Sequence, residues 1–188
     1  MTIGVLAIQG DFAAHKRALA KIGVGAVEVR RAIELQQVDA LIMPGGESTT
    51  MLKFIEEENF ADPIKQFALA GKPVFGTCAG AILLAREVHN PRQKSLGLMD
   101  ISVERNAYGR QVDSFISAVD PSFEGGLLEA VFIRAPKILS LGPNVEVLAK
   151  LDGEPVFVRE GNMLAATFHP ELTQDERVHR FFVEMISN

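Results

Sequence analysis

The chain has 188 residues, 47% hydrophobic and 23% charged, a composition that excludes a disordered or fibrous protein. Its length is somewhat above the roughly 150 residues of a typical domain, so a single domain over residues 1–188 is expected, with a core that needs no disulfide or metal staple. Lys and Arg number 19 against 24 Asp and Glu, a net charge of −5, and an acidic chain repels phosphate backbones, which argues against nucleic-acid binding. Residues 3–8 form a nearly continuous apolar run ended by Gly10, as in a strand buried on both faces. Asp11 can cap a helix whose Ala14, Ala18, Leu19 and Ile22 share a face, with Gly23 past its end. Residues 27–29 and 39–43 read as strands, the second stopped by Pro44-Gly45-Gly46. Residues 49–57 and 63–69 read as helices, 73–75 as a brief strand leading into Gly76, and 79–88 as helix again. Strands alternating with helices at this spacing predict a parallel sheet covered on both faces.

After Gly97 the pattern turns strand-rich: residues 98–103, 115–119, 130–133, 145–151, 155–160 and 163–168, with Asp152-Gly153 as a hairpin turn. Residues 178–186 close the chain as an amphipathic helix through Val178, Phe181, Phe182 and Met185. The expected fold is α/β: one open, mixed, mainly parallel sheet flanked by helices. Residues 1–10 lack the positive region of a signal peptide, and no apolar run approaches the ~18 residues of a membrane span, so no membrane partner is expected. The single cysteine, Cys78, fits a reducing, cytoplasmic compartment. No Cys/His cluster has zinc-site spacing, and neither metal nor cofactor is expected.

Cys78 stands in Gly76-Thr77-Cys78-Ala79-Gly80, between a predicted strand and a predicted helix. This is a nucleophile elbow with cysteine in place of serine: the turn is so sharp that only small residues fit two positions to either side. A helix N-terminus favours the thiolate. The alternative is a buried structural cysteine, but paired flanking glycines favour catalysis. A thiolate nucleophile needs a base. Of His15, His89, His169 and His179, packing accounts for His15 in the first helix, His89 at a polar helix exit and His179 in the last helix. His169 differs, because it follows a strand at the C-terminal end, where open α/β sheets place their sites. Glu171, two residues on, can hold its imidazole in the right tautomer. Acyl chemistry also needs oxyanion donors, and the backbone N–H groups of Gly46 and Ala79 are the candidates. The plain alternative for Pro44-Gly45-Gly46 is a turn with Ser48 or Thr49 capping the next helix.

Three segments in this order, Pro44-Gly45-Gly46-Glu47-Ser48, Gly76-Thr77-Cys78-Ala79-Gly80 and His169-Pro170-Glu171, resemble the class I (triad) glutamine amidotransferase family. Gly4-Val5-Leu6-Ala7-Ile8-Gln9-Gly10, Arg105-Asn106-Ala107-Tyr108-Gly109-Arg110-Gln111 and Phe132-Ile133-Arg134-Ala135-Pro136 narrow the resemblance to the glutaminase subunits of pyridoxal 5′-phosphate synthases. The resemblance implies a flavodoxin-like fold and hydrolysis of L-glutamine to glutamate and ammonia. It implies Cys78 as nucleophile, His169 as proton shuttle and Glu171 as the acid that orients it. It further implies substrate binding by Gly46, Glu47, Ser48, Arg105, Ile133 and Arg134; an arginine suits bidentate capture of an amino-acid carboxylate. Ammonia would pass to a separate (β/α)₈ synthase subunit, for which the loop at Gln9 is the candidate contact. The alternatives are a flavodoxin-like redox-sensing or chaperone-like protein with an elbow cysteine, a cysteine peptidase, and a glutaminase serving another synthase.

Overall fold

The computed structural model describes residues 1–107 and 114–187; residues 108–111 of the arginine-bearing segment above lie outside them. The chain runs β1 (Ile3–Leu6), α1 (Phe12–Lys21), β2 (Ala26–Val29), a 3₁₀ turn (Ala32–Gln37), β3 (Ala40–Met43), α2 (Ser48–Glu57), α3 (Ala61–Leu69), β4 (Val74–Thr77) and α4 (Ala79–Leu84). It continues as β5 (Ala85–His89), β6 (Met99–Glu104), β7 (Ser114–Pro121), β8 (Leu128–Ile133), β9 (Lys137–Leu141), β10 (Glu146–Leu151), β11 (Glu154–Glu160), β12 (Met163–Ala166), a 3₁₀ turn (Pro170–Leu172) and α5 (Arg177–Ser187). Among the described residues, one sheet has nine strands in the order β2-β1-β3-β4-β12-β11-β10-β7-β8. From β2 to β12 the neighbours are parallel, and from β12 to β8 antiparallel. A second sheet, β5-β6-β9, packs against one face.

The continuous apolar strands serve two cores at once, because successive side chains point to opposite faces. Leu6, Leu41, Met43, Val74 and Ala165 face a core closed by α2, α3, α4 and the small sheet. Ile3, Val5, Ala40, Ile42, Phe75, Leu164 and Ala166 face the other, closed by α1 and α5. The strand order reverses direction between β1 and β3, so the crevice for a ligand lies over the C-terminal ends of β1, β3, β4 and β12.

The expected α/β architecture is present, as are the Asp11 cap, whose side chain accepts from the Ala14 N–H at 3.2 Å, and the Asp152-Gly153 turn, with both residues at positive φ. One local expectation fails, one strand was not foreseen, and one alternative is excluded. The helix expected over 79–88 stops at Leu84, and Ala85–His89 is β5, paired with β6. Ala85 and Val88 are buried while Arg86 and Glu87 are exposed, so hydrogen bonds from a remote strand override the helix-favouring Ala-Arg-Glu. His89 therefore stands on a strand, not at a helix exit. Strand β9 was not expected; its pairing with β6 defines it. The cap of α2 is Glu47, whose carboxylate accepts from the Thr49 and Thr50 N–H groups, and not Ser48 or Thr49.

Phe75, fully buried, meets Phe157 at 6.2 Å and Phe182 at 5.5 Å between ring centroids. It joins β4 to α5 directly beneath the elbow. Phe75→Ala should cost about 3–5 kcal/mol of unfolding free energy, measured by urea denaturation; a loss below about 1 kcal/mol would mean that α5 is not anchored there.

Candidate active site

Strand β4 delivers Cys78 to the sheet edge, where the backbone turns through φ +47° and ψ −101° before α4 begins. For a non-glycine residue this is strained, and surrounding contacts must hold it. They do: the Cys78 N–H donates to the Ala166 carbonyl of β12 at 2.8 Å, and the Ile82 N–H to the Cys78 carbonyl at 3.1 Å. The expected need for small flanking residues has a physical cause. A methyl group at Gly80 would overlap the carbonyl oxygen of Met43, and one at Gly76 would press on the backbone of Gly80. Cys78 is 6% exposed, and its Sγ lies 3.7 Å from the Ile133 carbonyl.

His169 follows β12, and its N–H donates to the Val131 carbonyl at 2.8 Å. Its Nδ1 is 2.8 Å from Oε1 of Glu171, whose side chain has no exposed surface. The carboxylate fixes the proton on Nδ1, and the buried Nε2 has no hydrogen-bond partner among the described residues. Burial alone would depress the His169 pKa, but the Cys78 thiol and the Glu171 carboxylate outweigh it and raise it to about 10. Burial would likewise raise the Glu171 pKa; the neighbouring His15 and His169 turn it downward. The ring packs on Gly45, where any side chain would collide with it.

These groups open into a cleft of about 380 Å³ lined by Gln9, Gly10, Gly45, Gly46, Glu47, Ser48, Cys78, Arg105, Ile133, Arg134 and His169, among others. Every expected substrate-binding residue lies on this cleft, and Ala79 is buried beside it at the start of α4. The Glu47 carboxylate is already engaged: it caps α2, accepts from the Thr49 and Thr50 hydroxyls, and stands 3.5 Å from Nη2 of Arg105. Burial works against its ionisation, yet the threonine hydrogen bonds hold its pKa down to about 2. Ser48 is buried, its hydroxyl donating to Oε1 of Gln93 at 3.1 Å. Gln9 Oε1 accepts from the Glu47 N–H at 3.0 Å, tying the β1 loop to the Gly45-Gly46 loop. No group of His, Cys, Asp or Glu among the described residues is arranged to hold a metal.

Two residues read only as packing lie directly behind this site. His15 and His179 are both fully buried, with 3.0 Å between His15 Nδ1 and His179 Nε2. His15 Nε2 is 3.1 Å from Thr77 Oγ1 and 3.4 Å from Glu171 Oε2. The available signal was a histidine on each helix's apolar face, beside Ala14, Ala18 and Leu19 or Val178 and Phe182.

Residues 5–188 match the family model for the SNO glutamine amidotransferase family. The chain is similar to a pyridoxal 5′-phosphate synthase subunit PdxT of Koribacter versatilis, at 54% identity over all of this chain and 97% of the relative. A protein of the same name from Thermotoga maritima is 52% identical over 99% of this chain and 100% of its own. Among solved structures, one of a glutamine amidotransferase superposes with a TM-score of 0.93 at 49% identity, covering 99% of both chains. PurLQS from Thermotoga maritima shares the fold, with a TM-score of 0.75 at 17% identity over 97% of both chains.

The raised His169 pKa carries a sign. The folded state favours the imidazolium, so its stabilisation is complete below pH about 6.5 and is lost as pH rises through about 10. Cys78→Ala removes the leading contact that opposes burial, and the His169 pKa should fall. Histidine ring titration by NMR in both proteins checks this; identical titrations would show that the thiol does not act on the ring.

Proposed function

The chain belongs to the SNO glutamine amidotransferase family, and from that premise we propose that it hydrolyses L-glutamine through a Cys78-His169-Glu171 triad and passes the ammonia to the synthase subunit of a pyridoxal 5′-phosphate synthase. One observation carries the site assignment: a histidine oriented by a buried carboxylate, with its other ring nitrogen unpartnered among the described residues, stands with a strained elbow cysteine in one cleft. His169 draws the thiol proton, and the thiolate attacks the side-chain amide carbon. The tetrahedral oxyanion is met by the backbone N–H groups of Gly46 and Ala79. The imidazolium protonates the departing nitrogen, ammonia leaves, and a γ-glutamyl thioester remains. Water then attacks the thioester with His169 as base, releasing glutamate and the thiol.

Gly46, Glu47, Ser48, Arg105, Ile133 and Arg134 hold the substrate. Because the Glu47 carboxylate is occupied, that residue contributes through its backbone and by fixing Arg105. No helix among the described residues is long and apolar enough to cross a membrane. The free thiol suits a reducing cytoplasm, and residues 1–188 act as one domain. The partner is a (β/α)₈ synthase subunit that docks over Gln9, whose side chain is tied to the oxyanion loop. A redox-sensor reading uses Cys78 but leaves the His169–Glu171 pair without a role.

Cys78→Ala should lower glutamine turnover by at least about 10³-fold with the fold intact, and His169→Asn comparably. Glu171→Gln should lose less, because it orients the base without transferring the proton. Ammonia release by the purified variants decides this, and full turnover in His169→Asn would remove histidine from the mechanism. Docking over Gln9 should complete the oxyanion loop, so that the synthase subunit raises kcat more than it lowers KM. Kinetics with and without that subunit test this, and equal kcat values would mean that the free chain's site is already assembled.

A further inference from the structure

We propose that His15 is a positioning residue for the triad: a neutral imidazole, its tautomer set by His179, that holds the second oxygen of Glu171 so that the first stays on His169. This rests on the triad reading above. The geometry is a chain of polar contacts running from α5 to the sheet edge. His179 Nε2 meets His15 Nδ1 at 3.0 Å, His15 Nε2 lies 3.1 Å from Thr77 Oγ1 and 3.4 Å from Glu171 Oε2, and Glu171 Oε1 takes the Nδ1 proton of His169 at 2.8 Å. Both distal histidines and the Glu171 side chain are without exposed surface. No water-facing alternative exists for them.

Only one proton arrangement satisfies this chain. With His15 protonated on Nε2, its N–H is donated to Thr77 Oγ1 with Glu171 Oε2 beside it at 3.4 Å, and its bare Nδ1 accepts from the Nε2–H of His179. The atom left over is His179 Nδ1, which is buried with no partner among the described residues, and it is then a bare lone pair. The opposite arrangement sets the His15 Nε2 lone pair against the carboxylate and leaves a buried, unpaired N–H on His179. A buried unpaired donor and a lone pair aimed at an anion both cost free energy. Glu171 Oε2 has no hydrogen-bond partner among the described residues, and the His15 Nε2–H, 3.4 Å away, is placed to fix its orientation electrostatically.

Neutrality is part of the role. A cationic His15 would pair with Glu171 and compete with His169 for its charge, whereas a neutral donor fixes the carboxylate and leaves its charge facing His169. Burial pushes the pKa of His15 down, and that of His179 down to about 3. His15 is not among the residues lining the cleft, so it acts through Glu171 and not on the substrate.

The test is glutamine hydrolysis by the full chain together with its synthase subunit. His15→Phe should lower kcat on the order of 10- to 100-fold, the scale found when an orienting partner of an active-site ligand is removed, with the KM for glutamine unchanged. His15→Gln, which restores an N–H donor, should recover much of that loss, whereas a His15→Gln variant as slow as His15→Phe would make the effect one of packing and overturn the proposal. The wild-type chain supplies a readout that needs no variant to fold: ring-nitrogen NMR should find His15 and His179 neutral and both protonated on Nε2. A kcat for His15→Phe equal to the wild-type value, or a His15 protonated on Nδ1, overturns the proposal and leaves the triad standing. Turnover retained in Cys78→Ala instead brings down the triad reading.

Discussion

A carboxylate with no solvent contact sits at the centre of this molecule, and much of the surrounding structure is arranged to tolerate it. Withdrawing an ionised group from water costs several kcal/mol even after a protein relaxes around it. Glu171, on the 3₁₀ turn after β12, is offset from two sides, by His169 just before that turn and by His15 on α1. That requirement constrains the packing of the layer beneath the sheet. Helix α1 must bring His15 under the end of β4, and α5 must bring His179 against His15, so the helices that close one core also complete the polar chain behind the cleft.

Three histidines in this small volume have divergent acidities, and environment alone separates them. His169 lies between a thiol and a carboxylate, which overcome its burial and favour the cation. His15 and His179 have comparable burial without equivalent compensation, and desolvation drives both towards the neutral form. A single carboxylate can support one neighbouring cation well, and here it supports the ring that faces the nucleophile.

The strain at Cys78 is the second fixed point. A non-glycine residue at φ +47° costs of order 1–3 kcal/mol, and the backbone bond to Ala166 on β12 holds it there. The same strand leads to His169. Nucleophile and base are therefore set by adjacent, hydrogen-bonded strands, with Gly45 on β3's exit leaving room for the imidazole. Separate segments of sequence become one rigid edge.

Much of this was legible in the chain. Apolar runs of strand length, buried on both faces, can be read from their own residues, and so can the Asp11 cap, the glycines flanking Cys78 and the His169-Pro170-Glu171 run. Each depends on neighbours within a few positions. Only the tertiary structure could decide what hangs on distant partners. Ala85–His89 is a strand because Met99–Glu104 offers it hydrogen bonds, and Lys137–Leu141 is one for the same reason. His15 and His179, 164 positions apart, gain their meaning only when α1 and α5 pack on one face of the sheet. Local residue types fixed which chemistry was available at the sheet edge. Long-range packing decided which protons and charges that chemistry would hold, because burial and contact are properties of the folded chain and have no counterpart in a linear one.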